Sequence, residues 1–217
     1  MDKILKILIK YYPVFLEGLW GTLWVSAVVV ALGSVLGLLI ATFRMSKVKP
    51  LSWLADAYIE VLRGTPVLLQ LYVFYFAMPD NVPEAVSIIV ALVVNASAYI
   101  SEIIRAGIGA VDKGQWEAAK SLGLSNKNIM SRVILPQATK NILPALCNEG
   151  IAVLKETSIV GLISVVDLTR ASDLVRSRTL SPYFPLVSVA IVYYLLVAGL
   201  SAAVSRMERR LRQSDRH

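Results

Sequence analysis

Two stretches of this chain, Leu19 to Phe43 and Pro185 to Val204, contain no aspartate, glutamate, lysine, arginine or histidine. A helix of ~20 consecutive apolar residues crosses the ~30 Å hydrocarbon core of a bilayer, and both runs are long enough. The composition of the 217 residues agrees, with 56% hydrophobic and only 17% charged, where soluble domains run at roughly 45–50% and about 25%. Mean hydropathy is +0.64. A cleaved signal peptide would account for Lys3, Lys6 and Lys10 ahead of the first run. The apolar run after Gly18 is too long for that, however, and no small-residue cleavage site follows it.

These features predict an all-α membrane protein of about five spans in a single domain over residues 1–217. The first span is Leu19 to Phe43, where Gly33 and Gly37 share the four-residue spacing that lets a second helix come close. The second runs from about Leu51 to Met78, interrupted by Glu60, Arg63, Gly64 and Pro66, and a turn through Pro79, Asp80, Asn81 and Pro83 follows. The third covers about Glu84 to Ala110, with Glu102 and Arg105 on one helical face. The fourth, about Gln137 to Val166, carries Asn148, Glu149, Lys155 and Glu156, and a polar outer segment to Ser181 precedes the fifth, which closes near Val204.

Lysine and arginine in short connections mark the cytoplasmic side. Arg44, Lys47 and Lys49 fall in the first connection, and Lys113, Lys120, Lys127, Arg132 and Lys140 in the third. Arg206, Arg209, Arg210, Arg212 and Arg216 fall in the tail, whereas the second connection offers only Asp80. The N-terminus is therefore expected outside and the C-terminus in the cytoplasm. Lys3, Lys6 and Lys10 oppose that assignment, but with Ile4, Leu5, Ile7 and Leu8 between them they suit an amphipathic helix on the membrane surface. The net charge of +7 is thus mainly a topology signal, which leaves no case for nucleic-acid binding.

One stretch departs from the apolar pattern. Asp112 and Gln115 have the spacing of a capping box ahead of Trp116 to Leu122, Gly123 suits a left-handed helix end, and Ser125 can cap a second helix that Pro136 is expected to end. The result is a helical hairpin over about residues 111–136. Trp116, Ala119, Leu122 and Leu124 give it more apolar surface than a solvated loop needs, as at an interaction site.

Glu117-Ala118-Ala119, Gly123, Val133 and Leu135-Pro136 resemble the EAA motif of the membrane subunits of bacterial ABC importers, with Val133 where isoleucine is usual. "EVLRGTPVLLQL" (60–71), "NASAYISEIIRAGI" (95–108), "LKETSIV" (154–160) and "DLTRASD" (167–173) are similar to the polar amino acid permease subfamily, whose cargoes are histidine, arginine, glutamine and glutamate. The resemblance implies a type I ABC importer fold in the bacterial inner membrane, with the hairpin as a coupling element. Glu117, Ala118, Ala119, Leu122, Gly123, Leu124 and Pro136 would dock on an ATPase subunit. It implies two ATPase subunits that bind ATP and magnesium, a second permease subunit, identical or not, surrounding membrane lipid and an extracytoplasmic substrate-binding protein. No G-x-x-x-x-G-K-[S/T] stretch occurs in the chain itself, so no phosphate loop of that kind is present and no cofactor is expected on it.

Ionisable groups inside a membrane are costly and usually face a pathway. Glu156 and Asp167 are therefore candidate substrate contacts, weighed against a structural ion pair and a helix cap respectively. Asn95, Ser97 and Tyr99 are candidates as hydrogen-bonding groups, weighed against helix-to-helix bonds. Catalytic and metal sites are not expected, because the one histidine is terminal His217 and the one cysteine is Cys147. The expected function is translocation of a basic or polar amino acid. A permease for glutamine or glutamate is the alternative, and a non-transporting membrane scaffold the alternative of a different class.

Overall fold

The computed structural model describes residues 2–161 and 166–213, and side chains at 7–161, 166–211 and 213. The side chains of Lys3, Ile4, Leu5, Lys6 and Arg212, and Arg216 and His217 entirely, lie outside the described residues. The described chain is helical: α1 (Asp2–Arg44), α2 (Lys49–Gly64), α3 (Val67–Ala77), α4 (Glu84–Gly109), α5 (Lys113–Ser121), α6 (Asn126–Ile129), α7 (Leu135–Val160), α8 (Leu168–Thr179) and α9 (Phe184–Gln213). Segments of α1, α4 and α9, at Ile7–Arg44, Glu84–Gly109 and Phe184–Leu211, are long and apolar enough to cross a membrane. The expected second span is two helices, and the fourth, α7, carries Lys140, Glu149, Lys155 and Glu156 along its length.

Helix α4 is the hub, packing against α1, α2, α3 and α7. Its Ile88, Leu92, Ala96 and Ile100 are fully or almost fully buried, in one cluster with Val29 of α1 and Val153 of α7. The α1–α4 seam depends on the two glycines. A Cβ on Gly33 would lie 3.3 Å from Ala96 Cβ, and one on Gly37 would lie 2.8 Å from Ile100 Cγ2 and 3.0 Å from the Ser97 carbonyl. Glycine is required at Gly37 because the partner backbone itself occupies the space a side chain would need.

The break between α2 and α3 has an identifiable cause. Pro66 has no N–H to give the Leu62 carbonyl four residues back, and an unpaired carbonyl inside a membrane protein is costly. Gln70, 7% exposed, supplies the missing donor: its Nε2 lies 2.7 Å from the Leu62 carbonyl and 2.8 Å from Thr65 Oγ1. Its Oε1 then accepts from Asn95 Nδ2 at 2.8 Å, which ties the break to α4. The Gly64-Thr65-Pro66 interruption and Gln70 thus form one structural unit.

Pro136 does not end a helix as expected. Residues Met130–Ile134 form a single π-helical turn between α6 and α7, and Leu135 N–H bonds the Met130 carbonyl five residues back. Pro136 then falls in the first turn of α7, where its missing N–H and fixed φ are tolerated. The wider turn absorbs the proline, and the chain runs from the hairpin into α7 without a stop.

Candidate functional site

The hairpin assembles from local signals. Asp112 caps α5, its carboxylate accepting the Gly114 N–H at 2.6 Å. The reciprocal half of the expected capping box is absent, because Gln115 Oε1 instead accepts from Gln137 Nε2 at 3.2 Å. At the far end, Gly123 adopts φ +75°. Its N–H bonds the Lys120 carbonyl at 3.0 Å while Leu124 N–H bonds the Ala119 carbonyl at 3.2 Å. This pair of bonds is a Schellman motif, which glycine admits without strain. Ser125 caps the next helix, accepting Asn128 N–H at 3.4 Å.

Ala119, Ile129 and Ile134 form a small buried core, with Trp116, Leu124 and Val133 against it. The other hairpin candidates face outward. Glu117 and Ala118 are exposed, Pro136 is exposed, and Leu122 is 82% exposed at the tip. The expected apolar surface is therefore divided. Trp116, Ala119 and Leu124 hold the hairpin together, and Leu122 remains available to a partner.

The C-terminal end of α1, the middle of α2 and the last third of α4 are clamped by charge. Arg44 Nε lies 2.6 Å from Asp56 Oδ1, and the same guanidinium pairs with Glu102, which also pairs with Arg105. The expected Glu102–Arg105 contact is thus one edge of a four-residue network in which Glu102 faces two guanidiniums.

The intramembrane candidates separate into two groups. Asn95 and Ser97 are buried between helices: Asn95 bonds Gln70, while Ser97 Oγ lies 2.7 Å from the Tyr58 hydroxyl. Both thus make helix-to-helix bonds in this structure. Asp167 is 1% exposed and is the N-cap of α8, accepting Arg170 N–H at 2.7 Å and the Tyr193 hydroxyl at 3.3 Å. Next to it, Leu168 N–H donates to Thr22 Oγ1 at 3.1 Å. In this structure Asp167 is thus a buried cap that joins α8 to α9, and Leu168 beside it ties α8 to α1.

Glu156 and Tyr99 are different. Each is half-buried. Glu156 lies within electrostatic reach of Glu149, two turns earlier on α7, and Glu149 in turn feels Arg63 of α2. The Arg63 guanidinium stacks over the Tyr99 ring at 5.3 Å. Lys155, adjacent in sequence to Glu156, is exposed on another side of the helix. Arg63 and Tyr99 are thus in contact across α2 and α4, with Glu149 and Glu156 of α7 within longer electrostatic range, a polar group drawn from three helices. No metal-holding group of His, Cys, Asp or Glu occurs among the described residues.

Residues 33–213 match the family described as the binding-protein-dependent transport system inner membrane component. The chain belongs to this family. Its members are the non-catalytic membrane subunits of ABC transporters, multi-pass proteins of the inner membrane. The chain is similar to the arginine transport system permease protein ArtQ of Bacillus subtilis, at 40% identity over 95% of this chain and 96% of that protein. It is equally similar, at 40% identity over 96% of this chain and 99% of the relative, to the putative glutamine transport system permease protein GlnP of Rickettsia typhi. A solved amino acid ABC transporter with histidines is 46% identical, with a TM-score of 0.90 over 94% of this chain and 96% of that one. The fold is therefore that of type I ABC importer permeases.

Sequence reasoning missed Glu149 and Arg63 as members of the Glu156 group. A signal was available, since Glu149 and Glu156 stand seven residues apart on α7 and so share a face. Arg63 gave none, because its approach to α7 depends on how α2 packs.

Proposed function

We propose that this permease carries an amino acid past the face formed by Arg63, Tyr99, Glu149 and Glu156, and that positively charged amino acids are its preferred cargo. The observation that carries this reading is the composition of the face, one guanidinium against two carboxyl groups, a formal total of −1 when all three are ionised. An α-amino acid with a cationic side chain totals +1. Arg63 suits its carboxylate, and Glu149 and Glu156 suit its ammonium and side-chain cation. Desolvating such groups is costly, and each charge-assisted hydrogen bond offsets about 1.5–3 kcal/mol of it. A glutamine reading is favoured by one observation, the equal identity to the putative glutamine permease.

The exposed Leu122 tip and neighbouring Glu117 and Ala118 support a coupling role for the hairpin, docked on a separate ATPase subunit that binds ATP and magnesium. Two permeases and two ATPases form the working complex in this reading, and an extracytoplasmic binding protein delivers the cargo. The bundle contains about five spans, N-terminus outside and C-terminus in the cytoplasm, as the lysine and arginine distribution favours. ATPase closure would move the hairpin and, through the unbroken run from α6 into α7, the helix bearing Glu149 and Glu156.

The test is uptake by the reconstituted complex. Glu156→Gln keeps the shape and removes the charge, and arginine uptake is expected to weaken about tenfold or more on that energy scale while the ATPase subunits still assemble. Unchanged affinity and rate would remove Glu156 from the pathway. Uptake of glutamine but not of arginine, lysine or histidine would overturn the cationic preference.

A further inference from the structure

Helices α1, α7 and α9 enclose an open groove of about 460 Å³, walled by Ala27 and Val30, by Gly150 and Ile151, and by Ala203 and Val204. No charged side chain lines it. Three heteroatom-bearing side chains stand in its wall, Ser26, Cys147 and the thioether of Met207, and the Ser26 hydroxyl already donates to the Thr22 carbonyl at 2.6 Å. A site without free polar partners does not hold water, which needs two to four of them. It suits neither a polar solute nor the cargo of the charged face.

One end of the groove has a different character. Arg206 and Arg210 stand three and seven residues beyond Ala203 on α9, so they project within about 60° of its direction. Both are exposed, and neither makes an ion pair among the described residues. Glu208 does not offset them, because it lines a separate polar pocket with Asn148 and Asn141. An apolar slot thus leads to a pair of exposed guanidiniums that make no ion pair among the described residues.

We propose that this groove seats one acyl chain of an anionic glycerophospholipid whose headgroup phosphate is held by Arg206 and Arg210. The two halves are complementary in kind to such a lipid: a slot without hydrogen-bonding capacity for the chain, and a two-arginine fork for the phosphate. Each basic group near a membrane surface contributes about 1 kcal/mol toward an anionic lipid, or about fivefold in affinity. The inference needs the helices to lie in a bilayer and nothing about cargo or orientation.

The test uses the purified, delipidated full chain and native mass spectrometry, with palmitoyl-oleoyl phosphatidylglycerol and the zwitterionic phosphatidylcholine of the same chains as probes. Phosphatidylglycerol is expected to bind at least about fivefold more tightly. Arg206→Gln/Arg210→Gln is expected to bring it down to the phosphatidylcholine level. Gly150→Leu is expected to abolish both adducts, because a Cβ there meets only Val30 at 3.7 Å and the rest of the side chain would enter the groove. A second readout needs no variant: phosphatidylglycerol, but not phosphatidylcholine at the same concentration, is expected to slow maleimide labelling of Cys147 in the groove wall. Equal binding of the two lipids, adducts surviving Gly150→Leu, undiminished labelling, or oxidative Cys147-to-Cys147 cross-linking between copies would each overturn the proposal.

Discussion

The hairpin and the charged face, the two regions to which the proposed function gives a role, are encoded differently. The hairpin is local. Asp112, Gly123 and Ser125 each act within three residues of themselves, and the small Ala119–Ile129–Ile134 core closes over a short loop of chain. The charged face draws Arg63 from α2, Tyr99 from α4 and two acids from α7. Its geometry exists only once those helices pack. A local element tolerates rearrangement of the bundle, whereas a non-local one reports any shift of it, which is the property a gated pathway needs.

The strongest way to break this contrast is to test whether the face acts as a unit. Arg63→Gln should lower arginine uptake about tenfold or more, since an arginine contact to a carboxylate is of the order of 1.5–3 kcal/mol. Arg63→Gln/Glu149→Gln should lose less than the sum of the single changes, because removing one partner leaves the other uncompensated and removing both does not. Strictly additive losses in a reconstituted uptake assay would mean that the two residues act separately.

At the hairpin, Gly123→Val forces a β-branched residue into φ +75°. The cost is about 1–2 kcal/mol. It should appear as reduced ATPase association or coupling, with membrane insertion normal. Wild-type association and transport in this variant would detach the corner from coupling.

The same contrast explains what the sequence revealed. The hairpin was legible because caps and glycine corners are short-range signals, and a close approach of some helix to the Gly33–Gly37 face of α1 was legible from their spacing, whereas its partner α4 was not. The roles of Gln70 and Asn95 were not, because Gln70 answers a carbonyl that Pro66 frees and Asn95 answers Gln70 across two helices. Asp167 was ambiguous for a related reason. An acid near a helix end reads the same whether it faces a pathway or caps, and its burial and the Tyr193 hydroxyl arriving from α9 became visible only in the fold. Pro136 read as a stop, since a π-helical turn has no composition signature that separates it from a helix end.

The smallest expected effect sharpens the local side of the comparison. Asp112 and Gln115 look alike in sequence as the two halves of a capping box, yet only Asp112 bonds the N-terminus of α5. Replacing it with alanine leaves the first-turn donors without a side-chain acceptor, at a cost of about 1 kcal/mol. Gln115→Ala removes a long, exposed side-chain bond to Gln137 and should stay within about 0.5 kcal/mol of wild type. Amide hydrogen exchange across α5 in the purified protein separates the two: Asp112→Ala should speed exchange of the α5 amides by about fivefold, and Gln115→Ala by about twofold or less. Equal acceleration by both variants would mean that the full reciprocal box forms after all, and that the Gln115–Gln137 contact is not the one that holds in solution.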